Sequence, residues 1–184
     1  METKNTLLIT GAAGYVGTML VRQFAPRPDV EHIVCLDRED MPELLIGIPN
    51  ITWIKSNMAD DGWQAQASAK KVTIVIHTAW HIREMYGKRE EQWRWNVTGT
   101  DKVFQFAFST PSVKRLVHYS TVSSYGAEST NKLDHFFKES EGFRDNEYLY
   151  AIEKKASEDH LKALYDKTIK SGGIPPTIAI IRPA

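Results

Sequence analysis

The sequence contains almost no cysteine. Cys35 is the only one in 184 residues, so an intrachain disulfide is excluded. It stands in the apolar run Ile33-Val34-Cys35-Leu36, which predicts a small buried side chain in a strand rather than a reactive thiol. The chain also lacks any apolar run that approaches the ~18 residues required by a membrane-spanning helix.

The sequence also has no excess of either charge. Lys and Arg together number 23, and Asp and Glu together number 23, so the formal net charge is zero. This balance gives no electrostatic reason to expect a nucleic-acid or membrane-surface partner. Because the first residues lack the basic and apolar segments of a signal peptide, a cytoplasmic protein is expected. No metal site is predicted.

Short apolar runs alternate along the chain with longer segments of helical spacing. The apolar runs are mostly continuous, which is typical of parallel strands covered on both faces. Strands are predicted for residues 6–10, 32–37, 52–55, 73–77, 116–120 and 177–182, and helices for 15–24, 42–46, 60–69, 88–108 and 147–170. This alternation predicts an α/β fold with a doubly wound parallel sheet, in a single domain of residues 1–184. Residues 126–144 are polar and poorly periodic, so we expect a surface loop close to the functional site.

The most informative segment joins the first predicted strand to the first predicted helix. Gly11, Gly14 and Gly17 lie in this connection. In such a loop the first glycine permits a tight turn, the second lets the backbone approach a pyrophosphate, and the third lets the helix pack closely on the strand. The helix N-terminus adds free N–H groups and a positive dipole end. The pattern therefore predicts a dinucleotide-binding loop, for which an ordinary strand-to-helix turn is the alternative.

Asp37 ends the second predicted strand, about 20 residues beyond the glycines, where a dinucleotide-binding fold places an acid. A carboxylate at this position accepts hydrogen bonds from ribose hydroxyls and repels a 2′-phosphate, which favours NAD over NADP. Arg38 follows directly, and a guanidinium there can accommodate a 2′-phosphate. NAD is therefore the predicted cofactor, with NADP as the alternative.

Tyr150 and Lys154 are four residues apart in the last predicted helix and therefore share one face of it. A free phenol has a pKa near 10 and is a poor base at neutral pH. A neighbouring ammonium favours the phenolate, so this pair predicts a tyrosine that can exchange a proton with a substrate.

Several motifs now stand in a fixed order along almost the whole chain. They are TGAAGYVG at 10–17, Asp37, VIHTA at 75–79, NVTGT at 96–100, YSTVSSYG at 119–126, Tyr150 with Lys154, and IRP at 181–183. With this set the chain resembles the extended short-chain dehydrogenases/reductases of the NAD-dependent epimerase/dehydratase type, and in particular their N-terminal Rossmann portion.

The resemblance implies three catalytic residues. Tyr150 would be the general acid/base, and Lys154 would lower its pKa and hold the nicotinamide ribose. Thr121 would hydrogen-bond the substrate oxygen, with Ser120 and Ser123 as rivals for that role.

The resemblance also implies a cofactor site. Asn57 and Met58 would lie at the adenine, Asn96 would support the site from behind, and the loop after the fourth strand would flank the cofactor. The full set is Gly11, Ala13, Gly14, Tyr15, Val16, Gly17, Asp37, Arg38, Asn57, Met58, His77, Thr78, Ala79, Asn96, Tyr150 and Lys154. For His77 and Asn96, the alternative to a role in cofactor binding is a purely structural role.

The remaining aromatic residues near these motifs have two interpretations. Trp80 and His81 follow the fourth strand and either line a substrate pocket or simply pack. Trp93 and Trp95 lie in the long helix, where packing is the better interpretation.

The chain departs from the family pattern at two places. Sugar-nucleotide dehydratases of this family carry an acidic pair after the catalytic threonine, where this chain has Val122 and Ser123. This favours an epimerase or an oxidoreductase over a dehydratase. The sequence also ends at Ala184, directly after the sixth predicted strand, whereas family members continue. A truncated chain without its substrate lobe is therefore expected.

Two hypotheses about function follow. The first is an NAD-dependent oxidoreductase or epimerase that acts on a hydroxyl or carbonyl group of a small molecule, with a nucleotide sugar as one option. The second is a dinucleotide-binding sensor or scaffold without catalysis. Relatives pair through their two long helices, so a homodimer through residues 88–108 and 147–170 is also expected.

Overall fold

The computed structural model describes residues 4–126, 128–129, 131–132, 134, 136–144 and 147–183. Its strands are β1 Asn5–Thr10, β2 Val30–Asp37, β3 Ile51–Lys55, β4 Ile74–His77, β5 Arg115–Tyr119 and β6 Thr177–Ile181. They form a six-stranded sheet in the order β3-β2-β1-β4-β5-β6, in which every pairing is parallel. The predicted doubly wound α/β fold is thus confirmed.

The helices lie between these strands in the chain. They are α1 Tyr15–Phe24, α2 Trp63–Ala69, α3 Arg89–Trp93, α4 Gly99–Ser109 and α5 Leu149–Lys170. A π-helical turn, Arg94–Thr98, joins α3 to α4. Short 3-10 turns occur at Glu43–Leu45 and Val122–Tyr125.

Three of the predicted helices differ from those observed. Residues 42–46 form only the 3-10 turn, because Pro42 is extended (ψ 145°) and Ile46 is extended after it. The helix predicted for 60–69 begins at Trp63, because Gly62 has a φ of +100°, outside the helical region. The helix predicted for 88–108 is divided by the π-helical turn, which apolar spacing alone does not reveal.

The strand boundaries differ by small amounts. β2 begins at Val30, two residues before its predicted start, because Val30 is paired with Asn5 of β1. Backbone pairing with a neighbour therefore extends the strand through its polar residues. β5 and β6 each end one residue earlier than predicted.

Helices cover the sheet on both faces. Along β1, Leu8 packs in a core cluster with Trp63 of α2, Phe104 of α4 and Leu161 of α5. Its neighbour Ile9 points to the opposite cluster, together with Val21 of α1, Ile33 and Cys35. Successive side chains of a strand alternate between faces, so a strand buried on both sides is apolar throughout. Cys35 is fully buried, as predicted, and burial raises the pKa of its thiol to about 12.

The strand order places a crevice at one end of the sheet. β1 lies between β2 and β4, and the chain reaches β4 only after passing from β2 to β3. The connections that leave β1 and β4 therefore diverge to opposite sides. In open parallel sheets ligands bind outside the carboxyl ends of the strands at such a reversal. The ends of β1, β2 and β4 carry Thr10, Asp37 and His77.

An ion pair joins the segment after β6, the edge strand of the sheet, to α5. Arg182, directly after β6, binds both carboxylate oxygens of Glu158 in α5, at 3.0 and 2.5 Å. A further hydrogen bond of 2.8 Å connects Arg182 to the Tyr125 hydroxyl. A bidentate pair of this kind is both strong and directional, so it fixes α5 against the end of the sheet.

The predicted loop 126–144 contains neither helix nor strand at its described positions, whereas 127, 130, 133 and 135 lie outside the described residues. Two of its aromatic residues, Phe137 and Phe143, pack on Tyr125, each with a ring-centroid distance of 5.0 Å.

The predicted homodimer would use the outer sides of α4 and α5. These helices meet at a hydrogen bond of 3.0 Å between the His160 ring and the Asp101 carboxylate. The homodimer stays a prediction. Among the helices of the described residues, none has the length and apolar character required to cross a bilayer.

Candidate cofactor and active site

The glycine loop adopts the geometry that its three glycines predict. Gly11 has a φ of +71°, and a Cβ atom there would lie 2.7 Å from the Ala79 backbone. A Cβ on Gly17 would lie only 2.0 Å from the Gly11 carbonyl oxygen, so α1 packs directly on the loop. At Gly14 the same oxygen would be 3.2 Å away. The loop therefore presents bare backbone at the carboxyl end of β1.

Helix α1 begins at this loop with free donors. No side chain of the described residues caps its N-terminus at Gly14. The first N–H groups of a helix have no partner within the helix, and they favour an anion. Tyr15 and Val16 are exposed in the first turn, at 83% and 41%. A diphosphate thus fits the chemistry of this end of α1.

A cleft of about 300 Å³ lies beside the glycine loop. Backbone and small side chains form one wall, and polar and aromatic side chains form the others. The lining residues that the sequence predicted for the cofactor are Gly11, Ala13, Gly14, Asp37, Arg38, Asn57, Met58, Thr78, Ala79 and Asn96. The structure therefore brings together predicted residues from β1, β2, β3, β4 and the π-helical turn.

Other predicted residues do not line this cleft in the described part of the chain. Tyr15 and Val16 are exposed to solvent, and Gly17 is packed against Gly11. Tyr150 and Lys154 are on α5, beyond Trp80, which itself lines the cleft. Gly17 does not line the cleft because its role is to permit close packing of α1 on the loop rather than to face a ligand.

Asp37 and Arg38 are already engaged within the protein. One carboxylate oxygen of Asp37 accepts a hydrogen bond of 2.9 Å from the Ala13 N–H, and the other accepts one of 3.0 Å from the Glu39 N–H. The Arg38 guanidinium lies 4.4 Å from the centroid of the Trp95 ring and is paired with Glu39 at 3.1 Å. Asp37 thereby ties the end of β2 to the glycine loop, and Arg38 is turned onto an aromatic face.

Asn57 and Met58 follow β3. The Asn57 side-chain oxygen accepts a hydrogen bond of 2.9 Å from the Ala59 N–H, which stabilises the turn. Met58 is buried against Gly99, whose Cβ position would be 2.7 Å from the Met58 side chain. Both residues line the cleft, one polar and one apolar.

His77 requires a correction, because its side chain does not flank the cleft. The ring is fully buried between two hydroxyl groups, with 2.6 Å to Thr10 and 2.9 Å to Thr100. It also stacks on His118, with ring centroids 5.3 Å apart. Burial lowers the pKa of His77 to about 3, and the charge of Lys154 acts in the same direction. A neutral imidazole that joins β4 to β1 and to α4 is the structural alternative that the sequence left open.

Asn96 fixes the backbone of the segment after β4. Its side-chain oxygen accepts from the His81 N–H at 2.7 Å, and its amide nitrogen donates to the His81 carbonyl at 2.8 Å. The same nitrogen donates to Glu153 of α5 at 2.7 Å. Gln92, one helical turn earlier, also donates to Glu153, at 3.2 Å, and accepts from the Met85 N–H at 2.7 Å. We call Gln92, Asn96 and Glu153 the amide clamp.

The sequence analysis did not identify the amide clamp as a unit. Glu153 is fully buried and its second carboxylate oxygen has no partner among the described residues. Burial raises the pKa of this carboxyl, while the Asn96 and Gln92 amides act in the opposite direction. A signal was present, since Glu153 lies on the face of α5 that also carries the buried Ser157 and Leu161.

Thr121 and Tyr150 lie together after β5 and at the start of α5. The Thr121 hydroxyl oxygen accepts from the Ser123 N–H at 3.1 Å, which begins the 3-10 turn. Burial raises the pKa of the Tyr150 phenol, and a hydrogen bond with Thr121 opposes this shift. Of the rival residues, Ser123 shares a hydrogen bond of 3.1 Å with Thr121, and the Ser120 hydroxyl is buried without a partner among the described residues.

Lys154 occupies a more enclosed position than predicted. Its ammonium donates to the Tyr119 carbonyl at 2.5 Å and lies 3.6 Å from the centroid of the Trp80 ring. Burial lowers the pKa of Lys154 to about 7, although the Glu158 and Glu153 carboxylates act in the opposite direction. The ammonium is 5.9 Å from the centroid of the Tyr150 ring.

In the protein alone, the predicted lowering of the pKa of Tyr150 by Lys154 is not seen, and the role of this pair with NAD bound stays a prediction. The pKa of Tyr150 is raised by burial rather than lowered by the lysine. The reason is geometric, because the ammonium is directed at Tyr119 and Trp80 and its own charge is weakened by burial.

A parallel sheet of this order, a glycine loop that opens α1 and an acid at the end of β2 define a dinucleotide-binding domain of the Rossmann class. Residues 7–180 match the sequence profile of the NAD dependent epimerase/dehydratase family. The chain belongs to this family. The resemblance read from the sequence motifs is thereby confirmed, as is NAD as the cofactor, because the family is NAD dependent.

Individual relatives are identical to this chain at about a quarter of the aligned positions. A trifunctional UDP-glucose 4,6-dehydratase/UDP-4-keto-6-deoxy-D-glucose 3,5-epimerase/UDP-4-keto-L-rhamnose-reductase of Arabidopsis thaliana is 26% identical over 129 residues, which are 65% of this chain and 19% of that protein. The enzyme WbmG of Bordetella bronchiseptica, solved with NAD and UDP, is 25% identical with a TM-score of 0.73, over 96% of this chain and 52% of that one.

A dTDP-glucose 4,6-dehydratase of Streptomyces venezuelae, solved with NAD, is likewise 25% identical, with a TM-score of 0.74 over 96% of this chain and 55% of that one. The chain thus spans about half the length of these solved relatives and about a fifth of the plant enzyme.

Proposed function

We propose that this chain carries the cofactor site and the acid/base groups of an NAD-dependent oxidoreductase or epimerase that acts on a hydroxyl or carbonyl group. The proposal rests on one observation, namely that Tyr150, Thr121 and Lys154 lie close together beside the cleft. Tyr150 is hydrogen-bonded to Thr121, and Lys154 follows on the same face of α5. They adjoin Trp80, which lines the same cleft as the glycine loop.

The residues of the cleft fit NAD by their chemistry. The uncapped start of α1 and the bare loop at Gly11 and Gly14 suit a diphosphate. Asp37 suits ribose hydroxyls, and Met58 gives the adenine an apolar contact. Asp37 repels a 2′-phosphate, which supports NAD rather than NADP, and the stacking of Arg38 on Trp95 and its pairing with Glu39 compete with any contact to a 2′-phosphate.

Each residue near α5 has a distinct task in this proposal. NAD, when bound, accepts or donates a hydride. Tyr150 takes the proton of the substrate hydroxyl during oxidation and returns it to the carbonyl oxygen during reduction. Thr121 hydrogen-bonds the substrate oxygen and keeps it within reach of the phenol. Lys154 supports the charge on the phenolate and holds the nicotinamide-side ribose.

A nucleotide sugar is the substrate class that the comparisons favour. WbmG holds UDP beside NAD, and the two other relatives named above carry UDP-linked or dTDP-glucose substrates in their names. Positions 122 and 123 of this chain carry Val and Ser, and neither can serve as the acid or base of a water elimination. We therefore propose epimerisation or carbonyl reduction rather than dehydration.

Replacement of Tyr150 by Phe tests the proton transfer. Tyr150→Phe removes only the hydroxyl, so NAD binding is expected to stay unchanged while kcat falls by roughly 10²- to 10⁴-fold. Turnover with UDP- and dTDP-sugars and simple alcohols is followed through NADH absorbance for oxidation and through chromatographic separation of the product sugar for epimerisation. Tyr165→Phe, an exposed position on the same helix, is the matched control with unchanged kcat. Full activity of Tyr150→Phe would overturn the mechanism.

A second candidate function is a dinucleotide-binding sensor without catalysis. The observation in its favour is the enclosure of Lys154 by Trp80 and the Tyr119 carbonyl. The same substrate panel separates the two functions. Tight NAD binding with neither an NADH signal nor an epimerised product would favour the sensor, and either substrate-dependent NADH formation or product epimerisation favours the enzyme.

A further inference from the structure

The Lys154 ammonium is enclosed by the protein, and one of the groups that enclose it, Trp80, also lines the cleft. The ammonium donates to the Tyr119 carbonyl at 2.5 Å, and the Trp80 ring centroid lies 3.6 Å away. Only 3% of the lysine is exposed. At this distance the cation rests on the face of the indole in a cation–π contact. A ribose hydroxyl therefore cannot reach the ammonium unless the indole moves.

The same indole also contacts Tyr150. The two rings meet edge to face, with centroids 6.3 Å apart and an interplanar angle of 88°. The Trp80 ring N–H is buried and has no hydrogen-bond partner among the described residues. No hydrogen bond therefore fixes the indole, and its polar contact is the one with Lys154. A contact of this type can be exchanged for another ligand of the ammonium.

The backbone next to the indole is fixed, in contrast to the ring. Asn96 holds both the N–H and the carbonyl of His81, and Glu153 orients the Asn96 amide from α5. Movement of the indole is therefore a side-chain rotation rather than a rearrangement of the segment. Trp80 lines the cleft, so the cleft offers space beside the ring.

We propose that Trp80 is a specificity-determining residue that competes with the nicotinamide-side ribose of NAD for Lys154. The indole covers the ammonium in the free protein and rotates away when a complete dinucleotide binds. A ligand that contains only adenosine and a diphosphate leaves it in place. The inference rests on the proposed function, in which Lys154 holds that ribose.

Binding of two probes to three proteins tests this competition. ADP and NAD are titrated calorimetrically into wild type, Trp80→Ala and Trp95→Ala. Trp80→Ala is expected to tighten NAD binding roughly tenfold, the equivalent of one desolvated cation–π contact, and to leave ADP binding within about twofold. Trp95→Ala, a cleft tryptophan that stacks on Arg38 instead, is expected to change ADP and NAD binding by the same factor.

A conservative variant and a chemical readout accompany the titrations. Trp80→Phe keeps a ring that packs well but binds cations less strongly, so an intermediate gain in NAD affinity is expected. Acylation of Lys154 by an amine reagent, measured by mass spectrometry, is expected to rise several-fold in Trp80→Ala. In that variant NAD protects Lys154 and ADP does not.

The outcomes separate this inference from the proposed function. If wild type binds NAD and Trp80→Ala leaves the ratio of NAD to ADP affinity unchanged or lowers it, the role of Trp80 is wrong and the proposed function stands. Unchanged acylation of Lys154 in Trp80→Ala would overturn the role of Trp80 in the same way. If wild type binds neither NAD nor ADP, the proposed function is wrong and the competition at Lys154 is overturned with it.

Discussion

At the scale of single residues, Lys154 shows how burial changes the chemistry of a side chain. A solvated lysine is charged at neutral pH, whereas burial here lowers the pKa of the Lys154 ammonium to about 7. The Tyr150–Lys154 spacing indicated the pair, but it could not indicate that Trp80 covers the lysine. That contact joins residues far apart in the sequence and depends on how the segment after β4 folds over α5.

Lys154 makes stability depend on pH in a defined direction. The pKa is about 7 in the folded protein and 10.5 when solvated, so the unfolded chain binds more protons in this window. The free energy of unfolding should therefore rise with pH from about 7 towards 10, by at most ~1.4 kcal/mol per pH unit. Below about pH 7 this gain is absent. Urea unfolding of wild type and Lys154→Met across the window measures it.

Lys162→Met is the control for this series, since Lys162 is exposed on the same helix. In Lys162→Met the free energy of unfolding should rise with pH as steeply as in wild type. In Lys154→Met the rise should be smaller by the contribution of Lys154. Equal slopes in wild type and Lys154→Met would show that Lys154 is not desolvated in the folded protein.

At the scale of elements, the β1–α1 connection is where sequence and structure agree most directly. The roles predicted for Gly11 and Gly17 depend only on local geometry, and the positive φ and the close approach of α1 are both present. The helix over 88–108 was harder to predict. Its π-helical turn places Asn96 against both His81 and Glu153, and this depends on partners in other elements.

Replacement of Gly17 by Ala tests the packing of α1 on the loop. The new Cβ would lie 2.0 Å from the Gly11 carbonyl oxygen, so the helix must shift. This overpacking outweighs the roughly 1 kcal/mol that alanine gains over glycine in a helix, and the free energy of unfolding should fall by about 1–3 kcal/mol. Gly142→Ala is the matched control, because nothing lies within 4 Å of its Cβ position. Similar unfolding midpoints for the two variants would contradict the close packing.

At the scale of the whole molecule, cofactor binding should increase the stability of the folded protein. A ligand that binds only the folded state at about 100 times its Kd adds about 2.7 kcal/mol to the free energy of unfolding. NAD should therefore raise the melting temperature, and NADP at the same concentration should raise it less, because Asp37 repels a 2′-phosphate.

Asp37→Ser removes the repulsion of the 2′-phosphate. In the same thermal scans, the melting temperatures with NAD and with NADP should therefore lie closer together than in wild type. Arg38→Ala should change the melting temperature with NADP less than Asp37→Ser does, since Arg38 is already in contact with Trp95 and Glu39. Equal stabilisation of wild type by NAD and NADP would contradict the assignment of Asp37.

The sequence by itself determined the parallel sheet, the glycine loop, the acid at position 37 and the spacing of Tyr150 and Lys154. These features follow from local rules: apolar runs form buried strands, glycine permits a positive φ, and residues four apart share a helix face. The tertiary structure decided the rest. It turned His77 inward onto two hydroxyl groups, joined Gln92, Asn96 and Glu153, and placed Trp80 over Lys154. Burial and contacts between distant segments set these outcomes, and neither is encoded in any single stretch of the chain.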